Sequence, residues 1–238
     1  MKNSIRAVYL ACLAACATGA VQAQTSTVTV YGIAAIEGVY ATNVAGPSGV
    51  GKSYRIDNSQ VTTSRLGFKG REVIGGGINA IFGLESGIQL DSGAANTTFW
   101  NRGSWVGLET PYGALTFGRQ WNVSDGINGT YFIYGGYSAF RFTEFGFISD
   151  LINNAVKYVS PTISGLTVSA LVAPGEGATG RTYEVGADFK MAGFQAGATY
   201  RNAENLAGVA DKLATVGASY PFGPARLHAG YADANPAG

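Results

Sequence analysis

From residue 24 onward, apolar and polar positions alternate with a period of two. Ile78, Ala80, Phe82, Leu84, Ile88 and Leu90 share one parity, with Ser86 the single lapse. Asn79, Gly83, Glu85, Gly87 and Gln89 share the other, with Ile81 its lapse. Tyr183, Val185, Ala187 and Phe189 alternate with Glu184, Gly186, Asp188 and Lys190, and Phe194, Ala196, Ala198 and Tyr200 alternate with Gln195, Gly197, Thr199 and Arg201. That period is the signature of a half-buried strand. It predicts eleven strands, near 28–40, 53–70, 76–90, 99–109, 113–121, 152–160, 165–173, 181–190, 193–201, 212–220 and 225–232. No helical stretch is predicted between them, which argues against βαβ units and a parallel sheet.

The predicted links alternate in length. Short ones fall at 72–75, 110–112, 161–164, 191–192 and 221–224, and longer ones at 41–52, 91–98, 122–151, 174–180 and 202–211. Short turns on one rim and long loops on the other predict an all-β, antiparallel transmembrane β-barrel. Tyr31, Trp121, Tyr200, Tyr220 and Tyr231 close strands, as interfacial aromatic girdles require.

Composition sharpens this choice. Only 13% of residues are charged, while glycine numbers 35 and aromatics reach 12%. Soluble sandwiches and lipocalin-like barrels also alternate, but they place more charge on their outer face. Glycine in that number excludes a helical bundle, because each interior Gly costs a helix about 1 kcal/mol relative to Ala. The near-neutral balance of 16 basic and 15 acidic residues carries no footprint for nucleic acid. No run of 18 apolar residues offers a transmembrane helix.

Residues 1–23 read as a cleaved signal peptide, leaving 24–238 as one barrel domain. Lys2 and Arg6 precede an apolar stretch from Ala7 to Ala15, and Val21-Gln22-Ala23 is a small-residue cleavage site. Leu13-Ala14-Ala15-Cys16 offers the competing reading of a lipoprotein. Both cysteines, Cys12 and Cys16, lie in this segment, so the mature chain has no disulfide, thiol nucleophile or Cys-based metal site.

Several segments together resemble the general porins of Gram-negative bacteria, most closely the trimeric porins of β-proteobacteria. They are Thr25-Ser-Thr-Val-Thr-Val-Tyr31-Gly32, Ser64-Arg65-Leu66-Gly67-Phe68-Lys69-Gly70, and the run from Gly75 through Glu85 to Gly87. Asn101-Arg102 with Val106-Gly107-Leu108, Phe117-Gly118-Arg119-Gln120, and Asn153-Asn-Ala-Val-Lys157-Tyr158 extend the likeness. The resemblance implies a sixteen-stranded barrel, of which about 11 N-terminal strands are present, a water-filled pore and a homotrimer in the outer membrane. It also implies contact with lipid and lipopolysaccharide, a third long loop folded into the lumen, small hydrophilic solutes and ions as cargo, and no cofactor. The chain departs from the family pattern in three places. It stops at Gly238, before the remaining strands and the terminal Phe, as a fragment or truncated product would. Ala35 replaces the acid often found in the first strand, with Glu37 two positions on, and Lys157 stands where the family has arginine.

A diffusion pore needs a constriction and a transverse field rather than catalytic groups. Parity turns Arg65, Lys69, Arg102 and Lys157 toward water, and the resemblance puts Arg65, Arg102 and Lys157 in the basic cluster. Glu144 and Asp150 are the acidic candidates on the folded-in loop, with Asp125 behind them; Arg119 is assigned to the rim or to a position after a bulge. Enzyme readings fit poorly. Gly46, Gly51, Lys52 and Ser53 match the phosphate-cradling G-x-x-x-x-G-K-[ST], but an alternating strand follows where that motif needs a helix. His228 is the only imidazole, and no G-x-S-x-G nucleophile turn is present. The expected function is passive diffusion with a lean toward anions. The alternatives are a barrel acting as adhesin or receptor through its loops, and an inactive fragment.

Overall fold

The computed structural model describes residues 26–46, 49–59, 62–94, 98–131, 151–176 and 180–235. Among them are thirteen strands: β1 (Thr27–Ile33), β2 (Ile36–Gly46), β3 (Gly49–Asn58), β4 (Arg65–Gly75), β5 (Ile78–Gly87), β6 (Gly103–Thr110), β7 (Gly113–Trp121), β8 (Leu151–Val159), β9 (Leu166–Ala173), β10 (Thr182–Met191), β11 (Phe194–Glu204), β12 (Ala210–Phe222) and β13 (Ala225–Asn235). One helix, α1 (Val123–Tyr131), lies between β7 and β8. β1 and β4 to β13 form a single eleven-stranded sheet in chain order, every neighbour antiparallel and β1 paired with β4. The sheet is open, with β1 and β13 as its edges.

Two predicted strands are corrected. The run 28–40 breaks at Ala34 and Ala35, and 53–70 breaks between Asn58 and Arg65. The pieces β2 and β3 pair with each other as a separate hairpin, so the predicted loop at 41–52 is largely strand. Parity runs unchanged across both breaks, which is why alternation alone missed them. The P-loop match falls in this hairpin and is followed by strand β3. The predicted absence of helix is also corrected, by α1.

The sheet is inside-out relative to a soluble fold. On one face Val28, Val106 and Val216 are 65%, 58% and 53% exposed. On the other, Glu184 and Arg201 are each 1% exposed. Exposed aliphatic side chains on a continuous hydrogen-bonded ladder suit lipid, which offers no partner to a free backbone group. The short turns at 76–77, 111–112, 192–193 and 223–224 share one rim, and the longer connections share the other.

The polar face of β10 to β12 carries the core, because α1 packs against it. Glycines make the seat. A Cβ on Gly186 would come within 2.6 Å of Val123 and 2.7 Å of Ile127. On Gly197 it would meet Ile127 at 2.6 Å, and on Gly217 Tyr131 at 2.5 Å. Three missing side chains therefore let the helix lie directly on the strands.

Candidate functional site

The first cluster on the polar face is built by register. Tyr31 of β1 faces Gly67 of β4, Gly67 faces Glu85 of β5, and Glu85 faces Gly103 of β6. Small residues around Glu85 leave room for longer neighbours to reach it. Arg102 Nε donates to Glu85 Oε1 at 2.7 Å, Tyr31 Oη donates to Oε2 at 2.8 Å, and Arg65 Nε approaches Oε2 at 4.0 Å. Two guanidiniums share one carboxylate, so the cluster keeps a net positive charge. The Arg102 guanidinium also lies 5.2 Å from the centre of the Trp121 ring, within cation–π range.

Lys69 sits four residues from Arg65, about 13 Å along the strand toward the short turns. Its ammonium lies 5.6 Å from the centre of the Tyr31 ring. Lys157 is placed elsewhere. It lies on β8, and its Nζ donates to the Trp121 carbonyl at 2.9 Å. There it shares a recess with Asn122, Gly126, Ile127 and Asp188, at the root of α1. The sequence-predicted basic residues thus separate into Arg65 with Arg102, Lys69 below them, and Lys157 beside the helix. Glu144 and Asp150 lie outside the described residues.

The second cluster anchors α1. Asn122 caps it, its Oδ1 accepting from Asp125 N at 2.7 Å, the usual bond to the third helical amide. Glu184 takes the amides of Val123 at 2.6 Å and Ser124 at 3.0 Å, together with the Ser124 hydroxyl. A carboxylate against a helix N-terminus satisfies both orphan amides and the helix dipole. At the other end Tyr131 Oη donates to Asp188. Burial and that carboxylate hold the Tyr131 phenol above its ordinary value, so it stays a donor. The geometry fits, because nine helical residues span about 13 Å and the four-residue step from Glu184 to Asp188 spans about 13 Å. The chain after β7 therefore runs down the polar face from the long-loop rim toward the short-turn rim.

Sequence reasoning missed Glu85 as a site residue, although it placed Glu85 on the small and polar face. Counting the hairpin back from Gly75 to Gly77 would have set Glu85 against Gly67. It also missed Glu184, which no local motif marks. Tyr31 and Trp121 are corrected from girdle residues to the polar face, where they hold Glu85 and Arg102. Arg119 does fall at a bulge between Gly118 and Gln120, and reaches the Asn101 carbonyl at 2.8 Å and Asn153 Oδ1 at 2.5 Å.

A β-sheet with an exposed apolar face and a charged polar face is the wall of an outer-membrane barrel, and comparison with known proteins agrees. A profile of the Gram-negative porin family matches residues 10–238. The chain belongs to that family, whose members reside in the outer membrane. It is 29% identical over 207 residues to major outer membrane protein P.IB of Neisseria gonorrhoeae, covering 82% of this chain and 55% of that protein. It is 34% identical over 175 residues to outer membrane porin protein 32 of Delftia acidovorans, covering 69% and 47%. The anion-selective porin from Comamonas acidovorans superposes with a TM-score of 0.74 at 27% identity, over 87% of this chain and 67% of that one. The chain spans about half the length of the curated relatives it matches. These relatives are porins rather than enzymes.

Proposed function

We propose that this chain lines a water-filled diffusion pore for small hydrophilic solutes and ions, with a preference for anions. One observation carries the reading. The polar face bears a net-positive Arg65–Glu85–Arg102 cluster and a seated helix, while the opposite face exposes aliphatic side chains. Charged rings on a pore wall select ions by sign. The anion-selective relative from Comamonas supports the sign. In this reading Arg65, Arg102 and Lys69 form the basic wall, and Lys157 supports the base of α1. Glu144 and Asp150 are the proposed acidic partners of this wall. Residues 1–23 act as a cleaved export signal and 24–238 as the barrel domain. The assembly is a homotrimer surrounded by outer-membrane lipid and lipopolysaccharide.

The test is reconstitution into planar bilayers under a potassium chloride gradient. The wild type gives a reversal potential on the anion side. Replacing both Arg65 and Arg102 with Ala leaves Glu85 alone and moves the potential toward the cation side. Absence of conductance, with no swelling of liposomes in small sugars, would overturn the channel and favour a receptor acting through its loops.

A further inference from the structure

The polar wall beside and below Glu85 holds two aromatic rings over glycines. Trp105 of β6 faces Gly83 of β5, and Gly83 faces Lys69 of β4. A Cβ on Gly83 would lie 2.6 Å from Trp105 Cε2 and Cζ2 and 2.8 Å from Nε1. The indole therefore occupies the space that a side chain at position 83 would fill. Tyr31 does the same over Gly67, where a Cβ would meet Oη at 2.6 Å and Cε1 at 2.7 Å. With Cβ atoms present, both rings would have to tilt. The glycines therefore let the Tyr31 and Trp105 rings lie across the wall, where both border an open recess.

Lys69 stands beside these rings. Among the described residues its ammonium contacts the Tyr31 ring and no carboxylate. Arg71 lies two residues nearer the short-turn rim, bonded to Glu109 at 2.5 Å. Tyr31, Trp105, Lys69, Arg71, Glu85 and Glu109 border one recess of 380 Å³. That volume is in the range of small-molecule sites. Aromatic side chains attract planar rings, and an ammonium with no carboxylate partner attracts an anion.

We infer that this recess is a binding subsite for small aromatic carboxylates, stacked on Trp105 with the carboxylate at Lys69 beside Tyr31. An aliphatic acid would find the charge but not the stacking, and a neutral aromatic would find the stacking but not the charge. The inference rests on the reading of this face as a water-filled lumen.

The experiment observes the fluorine resonance of 4-fluorobenzoate by NMR, with the chain folded in detergent micelles and empty micelles as the blank. The wild type broadens the resonance. Excess benzoate reverses the broadening, whereas equal concentrations of cyclohexanecarboxylate or benzyl alcohol do not. Trp105→Ala weakens binding at least about fivefold, the lower end for stacking on an aromatic side chain. Lys69→Gln weakens it about two- to fivefold, as for an exposed ion pair. Trp105→Phe keeps most of it, and circular dichroism shows the strand signal unchanged in each variant. Broadening that survives both Trp105→Ala and Lys69→Gln overturns the assignment, and so does equal displacement by cyclohexanecarboxylate or benzyl alcohol. Bilayer conductance of the same preparation separates the two readings. Ligand binding without conductance removes the channel and keeps the subsite, and conductance without binding removes the subsite alone.

Discussion

The two ends of the sheet use glycine on the polar face for different purposes. In β4 to β6, Gly67 and Gly83 lie beneath single aromatic rings, and the face stays open to charged side chains. In β10 to β12, Gly186, Gly197 and Gly217 lie beneath a whole helix, and the charges there are buried. Glu85 shows the contrast with Glu184. Glu85 is half-buried and balances two guanidiniums, whereas Glu184 is 1% exposed and satisfies helix amides. A carboxylate on a barrel wall can thus either set a field or hold a loop, and what covers it decides which.

The largest expected effect is at Glu184. Glu184→Ala strips the caps from Val123 and Ser124 and leaves buried Arg201, its register partner, without this carboxylate. Breaking a buried charge arrangement costs about 3–5 kcal/mol. Hydrogen exchange at the amides of 123–131 should accelerate strongly, while the Arg65–Glu85–Arg102 cluster stays protected. Equal loss at both ends would show that the two regions are one cooperative unit.

Next is a matched pair of glycine substitutions. Gly197→Val drives a side chain into Ile127 and Tyr131, and overpacking costs about 1–3 kcal/mol. Gly83→Val meets the Trp105 ring first, and that ring can tilt toward the open recess. Thermal melts in detergent should therefore fall for Gly197→Val and change little for Gly83→Val, whose effect appears instead as altered Trp fluorescence. Melts lowered equally would erase the distinction between a covered and an open face.

The smallest effect belongs to Tyr31→Phe, which deletes one of the bonds to Glu85. A single hydrogen bond to a charged group is worth about 1.5–3 kcal/mol when buried, and less at this half-exposed position. Arg102 remains 2.7 Å from Glu85, so the reversal potential should hold while the melting temperature drops slightly. A changed reversal potential would make the phenol part of the selectivity cluster rather than its support.

Most strands of the main sheet were legible because each needs only local alternation. Helix α1 was not, and its sequence explains why. VSDGINGTY carries Gly126 and Gly129 within nine residues, each costing about 1 kcal/mol relative to Ala. A helix that short is marginal alone and is held by packing. Asn122, three residues before Asp125, is the one local signal that could have marked its start. Among the site residues, Arg102 lies in the turn before β6, whose Gly103 and Trp105 themselves take the polar face, so the turn and not alternation brings it to Glu85. For Arg65, Lys69 and Lys157, parity gave the polar face correctly. It could not say that Lys157 would turn away to the Trp121 carbonyl, because parity gives the face and not the neighbour.

The sequence by itself determined most strands of the main sheet, the two faces of those strands and the membership of the porin family, since side-chain alternation is a property of the extended backbone. Register, set by how each hairpin turn aligns its strands, belongs to the tertiary structure. It brought Glu85 to Arg102 and Tyr31, laid two rings on Gly67 and Gly83, and opened the glycine seat that lets an otherwise weak helix form. In that seat Tyr131 meets Gly217 from far along the chain, and no local pattern encodes a partner at that distance.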